Sequence, residues 1–204
     1  HLCDRRQRQM CIRDSIAGFE TTDRKDFYDL AVGNVPFGQY QVDDRAYNKL
    51  GFSIHDYFFA KTLDQMRPGG VIAFVTSRYT MDKQSPEVRR YIAQRAELLG
   101  AIRLPNNAFK ANAGTEVVSD IIFLQKRDRP LDIVPEWTQT GQTENGFSIN
   151  RYFLDHPEMV LGRQEPESTA HGMDYTVNPI EGLELADQLH DAVKYIHGLS
   201  LIHI

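Results

Sequence analysis

The sequence has few cysteines and no long apolar run. Cys3 and Cys11, the only two cysteines, lie within the first eleven of 204 residues, which excludes a disulfide framework and a cysteine-based metal site. No run of about 18 apolar residues occurs, so no membrane-spanning helix is expected. Hydrophobic residues make up 41% and charged residues 25% of the chain. These values favour an ordinary globular domain in the reducing cytosol.

Positive charge is scarce in the last third of the chain. Residues 131–204 contain three Lys/Arg against twelve Asp/Glu, whereas residues 78–110 contain seven against three. A nucleic-acid-binding surface needs a basic footprint, and only the middle segment offers one. For any single arginine in it, the alternative is a solvated helix face.

Both ends of the chain lack a usable periodicity. Residues 1–15 carry four arginines but no apolar segment of a signal peptide, and we expect them to be non-native or disordered. Residues 10–15 and 199–204 resemble translated adapter DNA, so residues 199–204 are expected to be non-native as well. The alternative for the first segment is a basic arm that contacts nucleic acid. On the first interpretation, the sequence is an internal fragment of a longer protein.

Apolar strands and amphipathic helices alternate between residues 16 and 130. This pattern is typical of an α/β fold, and the run at residues 30–32 fits a parallel sheet covered on both faces. Helices are expected over residues 53–66 and from Ser85, where Pro86 and Glu87 favour a helix start and Gly100 a helix end. The apolar stripe of the second helix is Val88, Ile92, Ala96 and Leu99. Strands are expected at residues 30–32, 71–76, 101–104 and 121–124, and the last two are expected to pair antiparallel because no helix separates them.

The loop after the first of these strands has an unusual set of groups. Asn34 presents an amide, Val35 a backbone carbonyl and Phe37 an aromatic ring, while Pro36 fixes its own φ and favours an extended Val35. Ligands of open α/β sheets bind beyond the carboxyl ends of the strands. A flat base stacked on Phe37 would donate its two amine hydrogens to the two oxygens, which would stabilise that nitrogen as it attacks a methyl group. The alternative is a common Asn-x-Pro turn.

The motif Gly33-Asn34-Val35-Pro36-Phe37-Gly38 resembles the fourth motif of the amino-methylating DNA methyltransferases, (Asn/Asp/Ser)-Pro-Pro-(Tyr/Phe/Trp). The chain departs from this motif at Val35, where proline is usual. The family uses the carbonyl of that residue rather than its side chain. The resemblance implies catalytic roles for Asn34, Val35, Pro36 and Phe37, and S-adenosylmethionine as the cofactor.

Further motifs resemble the same family in the same order. Arg67-Pro68-Gly69-Gly70 before an apolar strand is similar to the next two motifs. The loop at residues 104–110 resembles the eighth, in which an aromatic ring holds the flipped base on its other side. Phe109 is the matching residue here, and the alternative is a ring packed beneath the loop. The remaining site residues that the resemblance suggests are Arg78, Lys83 and Arg103 toward DNA phosphates, and Phe19 or Glu20 toward the adenine of the cofactor.

The sequence lacks the cofactor-binding half that this family requires. No Gly-x-Gly element precedes Asn34, and too few residues stand upstream for two βα units. The resemblance therefore implies a partial Rossmann-like methyltransferase sheet over residues 16–130, with an antiparallel edge hairpin. The strand at residues 30–32 would lack a neighbour and expose its edge, which predicts poor solubility or partial disorder. Its partner would be the missing N-terminal half of the same domain.

Residues 131–198 are expected to form an acidic linker with a helical tail, including an amphipathic helix over residues 183–196. The whole pattern, with the segment at residues 152–159, looks like the large methylase–helicase fusions of phages, plasmids and integrated elements. This implies a cytoplasmic, bacterial or phage-encoded parent protein of restriction-modification type that methylates N6 of a flipped adenine in DNA. A downstream helicase would be a further partner, and no metal or membrane is implied. The alternatives are a non-catalytic DNA-binding domain that serves a helicase, and a protein glutamine N-methyltransferase.

Overall fold

The computed structural model describes residues 17–38, 40–110, 116–169 and 172–198. Both ends that the sequence predicts to be non-native, residues 1–15 and 199–204, lie outside these residues. The strands are β1 (Tyr28–Asn34), β2 (Met66–Ser77), β3 (Ala96–Leu104), β4 (Ser119–Lys126), β5 (Thr140–Gln142), β6 (Ser148–Asn150), β7 (Arg163–Thr169) and β8 (Gly172–Asn178). The helices are α1 (Ile54–Gln65), α2 (Tyr79–Asp82), α3 (Glu87–Arg95), α4 (Arg151–Asp155) and α5 (Leu185–Val193).

Four strands form a mixed sheet in the order β1-β2-β4-β3. β1 and β2 run parallel, so a helical crossover is required between them, and α1 provides it. β4 runs antiparallel to both β2 and β3. The predicted α/β class and the antiparallel edge hairpin are both confirmed. Because β1 and β2 are parallel, the loops after Asn34 and Ser77 leave the same edge of the sheet.

Helix α1 packs its apolar face on this sheet. Ser53 is the N-cap residue, and its hydroxyl donates to a carboxylate oxygen of Asp56 at 2.7 Å. Phe59 and Leu63 from α1 and Ile72 from β2 are completely buried. The edge-to-face contact between Phe59 and Phe74 (5.3 Å between centroids) joins the two elements. Burying side chains of this size stabilises a fold by roughly 1.5–3 kcal/mol each.

The second predicted helix is shorter in the structure than in the sequence analysis. α3 ends at Arg95, and the next residues, Ala96 to Leu99, already belong to β3. Ala96 pairs with Lys126 and Leu98 with Leu124, and an irregularity follows between Leu98 and Gly100. The apolar stripe is misleading here because two apolar residues of the strand, Ala96 and Leu99, lie at helical spacing from Ile92. Gly100, with φ of +157°, lies inside this strand instead of ending a helix.

Residues 131–198 are not a linker in the structure, contrary to the prediction. Ile149, Phe153 and Val177 are at most 1% exposed and belong to the same apolar core as the four-stranded sheet. The backbone N–H of Leu161 donates to the Arg103 carbonyl at 2.8 Å, which fixes this region directly to β3. β5 pairs with β6 and β7 with β8 as two small antiparallel hairpins. The predicted amphipathic helix is present as α5, with Ala192 buried.

β1 is an edge strand of the described sheet, with one side unpaired. Leu30 is 61% exposed and Val32 71% exposed, although their sequence pattern is typical of a strand covered on both faces. This agrees with the exposed edge expected of a sheet without its first strands. No helix within the described residues is long and apolar enough to cross a membrane.

Candidate active site

The loop that follows β1 lies at the carboxyl edge of the sheet. Asn34 ends the strand and is exposed, whereas Val35 is only 1% exposed. The backbone N–H of Val35 donates to the Val75 carbonyl of β2 at 2.9 Å. This bond fixes the peptide between Asn34 and Val35. The ring of Phe37 is 46% exposed two residues further on, so the four predicted catalytic residues present an amide, a fixed backbone and an accessible ring on one side of the fold.

This loop contributes to a groove on the side of β2, which we call the carboxyl-edge groove. The groove has a volume of about 230 Å³ and is lined by Phe37, residues 77–79, residues 116–118 and side chains of β7 and β8. It forms there because Asn34 pairs with Val75, and Ser77 pairs with Ser119, so these strand ends are adjacent. The hairpin β7–β8 closes the far side.

Asn34 and Val35 also line a second groove, which we call the open-edge groove. Its volume is about 380 Å³, and its walls come from the exposed side of β1, from α1 and from Phe19. Phe19 stacks on Phe58 with 4.7 Å between ring centroids and 17° between planes. Of the two residues that were matched to the cofactor's adenine, Phe19 therefore lines this groove. Glu20 is exposed, and its backbone carbonyl accepts a hydrogen bond from Lys61 at 2.8 Å.

Sequence analysis did not identify His55 as part of this site. The His55 ring meets the Phe37 ring edge to face, with 5.8 Å between centroids, so the start of α1 supports the exposed aromatic. Burial lowers the pKa of His55, Lys83 lowers it further, and Asp56 acts in the opposite direction. The imidazole is therefore neutral at pH 7. No pattern in the sequence connects residues 37 and 55, because only the folding of α1 against β1 brings them together.

Arg78 lies in the carboxyl-edge groove but is already paired. It is 8% exposed, and its Nη2 donates to both carboxylate oxygens of Asp174 in β8 at 2.8 and 2.7 Å. Its Nη1 lies 3.6 Å from Asp82. A guanidinium held in this way between two carboxylates has little capacity left for a phosphate, so the predicted phosphate contact of Arg78 does not fit this structure.

The prediction for Arg103 is wrong, because its side chain is completely buried. Its Nε and Nη2 donate to the two oxygens of Asp120 at 2.8 Å, and Nη2 also donates to Asp82 at 2.9 Å. Burial disfavours the charged form, but Asp120 and Asp82 outweigh it and hold the pKa of Arg103 well above its ordinary value. The residue joins β3, β4 and α2 inside the protein and does not reach a phosphate.

The basic middle segment therefore has a smaller footprint than its charge count indicates. Arg78, Arg89 and Arg103 are all buried, and Arg89 Nε donates to the Thr138 carbonyl at 2.8 Å. Lys83 is exposed and lies 3.7 Å from Asp56. Of the three residues predicted to meet phosphates, only Lys83 has a solvent-accessible charge. The arginines were misassigned because counting charges along a sequence treats each one as a surface group.

The position of Phe109 agrees better with a ring packed beneath the loop than with a ring that holds the flipped base. The ring is half-buried and packs against the apolar core. The described lining of the carboxyl-edge groove does not include it. The loop before it is fixed to β8, because the N–H of Asn106 donates to the Val177 carbonyl at 2.8 Å. The structure thus brings Asn34, Val35, Phe37 and Arg78 to one edge, and leaves Phe109 packed beneath its own loop.

Comparison with known proteins gives one sequence relative and several structures of similar fold. No family model matches the sequence. The chain is 34% identical over 105 residues to the "Defense against restriction protein B" of Escherichia phage P1. The match covers 50% of this chain and 5% of the relative. The matched 105 residues thus correspond to about one-twentieth of that protein's length.

Three solved structures are similar to part of this chain. A protein from Listeria monocytogenes, described as a class I S-adenosylmethionine-dependent methyltransferase, is 23% identical (TM-score 0.43; 57% of this chain, 36% of that one). The M protein of the type I restriction enzyme EcoKI is 18% identical (TM-score 0.41; 51% and 23%). A modification subunit described as part of a type I restriction enzyme from Vibrio vulnificus is also 18% identical (TM-score 0.42; 77% and 38%).

The matches to these four proteins are partial, since they cover 5%, 36%, 23% and 38% of the four proteins' own lengths. The observed mixed sheet, with its antiparallel edge hairpin, is the fold class implied by the sequence motifs. The chain is similar in sequence, over half of its length, to the phage protein, and its mixed sheet has the α/β class that its motifs imply.

Proposed function

We propose that this chain is part of a DNA methyltransferase that transfers a methyl group from S-adenosylmethionine to N6 of adenine. The observation that carries the proposal is the loop at residues 34–37. Its exposed amide, its fixed peptide and its accessible ring stand at a strand's carboxyl end and contribute to two grooves. Substrate and methyl donor must meet at one point, and a loop shared by two grooves is suited to that task.

The proposed roles of the loop residues follow from the chemistry of the amine. The N6 lone pair of adenine is delocalised into the ring, so the amine is a poor nucleophile. Asn34 Oδ1 and the Val35 carbonyl accept hydrogen bonds from its two N–H groups, which favours a tetrahedral nitrogen. As the bond from N6 to the methyl carbon forms, both oxygens stabilise the growing positive charge, and N6 then loses a proton to water. Phe37 stacks on the base, which has left the duplex.

The open-edge groove is the proposed place for the adenine end of the cofactor. Phe19 and Phe58 offer a flat apolar surface, while Thr22 and Gln65 add polar groups to the same walls. A purine ring with a polar edge fits that combination. When bound, S-adenosylmethionine supplies the methyl group and leaves as S-adenosylhomocysteine. We assign no residue of this chain to the methionine end, which belongs to the half of the sheet expected before β1.

The exposed edge of β1 supports a partner from the same protein. Leu30 and Val32 present apolar side chains beside unpaired backbone groups, and a neighbouring strand would cover both. We propose that the missing N-terminal half of the domain supplies that strand. The small share of the phage relative that is matched, 5%, supports a large multidomain parent. A helicase among its other domains remains part of this proposal, and ATP hydrolysis stimulated by DNA would test it.

One observation favours a second candidate, the methylation of a glutamine side chain in a protein. The carboxyl-edge groove carries Glu116 and Glu167, and its arginine is neutralised by Asp174. These charges do not attract a phosphate backbone. The planar amide of glutamine would meet the loop at residues 34–37 in the same way as adenine. A non-catalytic DNA-binding domain is the third possibility, and it gives the loop no chemical role.

The decisive experiment uses the whole protein that contains this sequence, with Asn34→Ala beside it. Asn145→Ala is the matched control, because Asn145 is exposed in the turn between β5 and β6. Each protein is incubated with DNA and S-adenosylmethionine, and the digested DNA is scanned by mass spectrometry for N6-methyladenine. Losing a preorganised acceptor should lower the rate by about 10²–10³-fold. The control variant should match the unmodified protein.

The other outcomes separate the three candidates. Methyl label that resists nuclease and is released by protease would support the protein substrate. DNA binding without any methyl transfer, unchanged by Asn34→Ala, would support the non-catalytic domain. N6-methyladenine at equal rates from both variants would establish the reaction but move the catalytic role away from Asn34.

A further inference from the structure

The carboxyl-edge groove contains a second accessible aromatic ring that the sequence motifs do not assign. Tyr79 lies just after β2, is 57% exposed, and lines the groove together with Phe37. Large aromatic rings are usually buried, so two exposed rings in one concave site indicate a surface for a flat partner. Phe109, the residue first expected to hold the base opposite Phe37, packs against the core instead.

The position of Tyr79 is set by a chain of contacts from the hairpin β7–β8. The guanidinium carbon of Arg78 lies 4.4 Å from the centroid of the Tyr79 ring, and Nη2 of Arg78 donates to the Tyr79 hydroxyl at 3.1 Å. Both oxygens of Asp174 in β8 hold the same nitrogen. The ring is therefore exposed and yet held, which reduces the entropy it would lose on contact with a ligand.

The hairpin itself is anchored to the rest of the site. Asn106, in the loop after β3, donates its side-chain amide to Thr176 at 3.2 Å and to Asn178 at 3.1 Å. Tyr175 is 4% exposed and belongs to the core. Two strand-end loops of the sheet, after β2 and after β3, thus both bind β8. The hairpin is a fixed wall of the groove although it lies about 140 residues after the loop at residue 34.

The charges of the groove favour a neutral, flat group over a phosphate. Arg78 is neutralised by Asp174 and Glu116 is paired with Lys110, while Glu167 adds negative charge on the described walls. A nucleobase is planar and uncharged, and base–aromatic stacking is the usual contribution of an exposed ring to nucleic-acid binding. Carboxylates also accept hydrogen bonds from exocyclic amines of bases.

We propose that Tyr79 contacts a nucleobase in the carboxyl-edge groove, and that the hairpin β7–β8 positions Tyr79 through the ion pair of Arg78 with Asp174. This inference rests on the proposed methyl transfer to DNA. Tyr79 touches the substrate, whereas Asp174 acts through Arg78 and is a positioning residue. The hairpin thereby becomes part of the substrate site.

The test measures KM for DNA and for S-adenosylmethionine separately, again in the whole protein. Tyr79→Ala should raise KM for DNA by about ten-fold or more, because it removes one stacked ring, and leave KM for S-adenosylmethionine unchanged. Tyr79→Phe keeps the ring and should restore most of the affinity. Tyr195→Ala, which removes an equally exposed ring (59%) at the end of α5, is the control and should have no effect.

Asp174→Asn tests the positioning part of the inference. It removes the charge that holds Arg78, and we expect KM for DNA to rise less than in Tyr79→Ala, by about three-fold. An Asp174→Asn protein with unchanged KM would overturn the role of the hairpin. Equal losses in Tyr79→Ala and Tyr79→Phe, or a rise in both KM values, would overturn the stacking role.

The design also separates this inference from the proposed function. If the unmodified protein makes no N6-methyladenine, the proposed function fails and the inference fails with it. If it does, but Tyr79→Ala has a normal KM for DNA, only the inference about Tyr79 is wrong. Thermal unfolding of each variant confirms that the loss arises in a folded protein, and a Tyr79→Ala protein that unfolds early would be judged on Tyr79→Phe and Asp174→Asn.

Discussion

Replacing Arg103 by methionine removes the cation from a buried cluster of charges. The side chain is completely buried and donates to Asp120 twice at 2.8 Å and to Asp82 at 2.9 Å. Methionine keeps an unbranched apolar stem near Phe153 but leaves both carboxylates without this partner. Breaking a buried ion pair on one side costs about 3–5 kcal/mol. That is a large part of the roughly 5–15 kcal/mol by which a domain is stable.

The pH dependence of this loss has a definite sign. Burial raises the pKa of Asp120, Arg103 acts against it, and Asp82 raises it again. Without Arg103 the pKa of Asp120 in the folded variant must therefore rise further above its unfolded value of about 3.9. The folded variant then binds more protons than the unfolded chain, so its stability falls as pH rises above that value. The difference between the unmodified chain and Arg103→Met should be larger at pH 8 than at pH 5.

Urea unfolding followed by tryptophan fluorescence measures this loss. Trp137 is the only tryptophan in the sequence. Asn150 joins it to the cluster, because its side chain donates to the Trp137 carbonyl at 2.9 Å and its N–H to Asp82 at 2.8 Å. With an m value of about 2 kcal/mol/M, the midpoint should fall by about 1.5–2.5 M. Low protein concentration limits association through β1.

Two further variants make the result specific. Arg129→Met removes an exposed arginine and should change stability by less than about 0.5 kcal/mol. Adding Asp120→Leu to Arg103→Met removes the stranded carboxylate and should recover part of the loss. A loss below about 1 kcal/mol for Arg103→Met, or a loss that grows toward pH 5, would refute the reasoning.

Three more predictions concern the surroundings of the site. Lys61→Met removes the ion pair with Asp44 (2.7 Å) and the hydrogen bond to the Glu20 carbonyl. The segment around Asp44 is then held less tightly, so trypsin should cut after the exposed Arg45 and Lys49 faster than in a Lys25→Met control. Burial lowers the pKa of His55, so as pH falls below about 6.5 the imidazole binds a proton more readily in the unfolded chain than in the folded protein. The free energy of unfolding should therefore decrease below that pH, and it should decrease less in His55→Phe. Urea unfolding midpoints at pH 5 and 7.5 measure both changes. Val32→Lys places a charge on the exposed edge strand and should reduce self-association in sedimentation velocity, whereas unchanged association would mean that another surface is responsible.

The elements of the sheet could be predicted from local pattern, because they are long and periodic. The strands β1, β2 and β4 and the helix α1 all contain their predicted cores, and the missing helix between β3 and β4 correctly indicated an antiparallel pair. The end of α3 could not be predicted in this way. Ala96 fits a helical stripe and a strand equally well, and its pairing with Lys126 of β4 decides for the strand.

Tertiary contacts also explain why the region after residue 131 was misjudged. Its apolar residues are few and separated by Thr, Gln, Gly and Asn, which is typical of a loop. Ile149 and Phe153 nevertheless complete the core on one side of the sheet. Arg89 also contacts this region, since its guanidinium donates a hydrogen bond to the Thr138 carbonyl. A buried arginine and its distant carbonyl leave no local signal in a sequence.

The loop at residues 34–37 shows how a departure from a motif is compensated by the fold. The resemblance places proline at position 35, where this chain has valine, and the ring of proline would restrict φ without help from neighbours. Valine keeps its N–H, and that group donates to the Val75 carbonyl at 2.9 Å while the side chain is 1% exposed. A hydrogen bond to β2 and burial against the core therefore supply the restraint. These restraints hold the backbone on the N-terminal side of Val35, as a proline ring would, so valine at this position is compatible with the proposed role of its carbonyl.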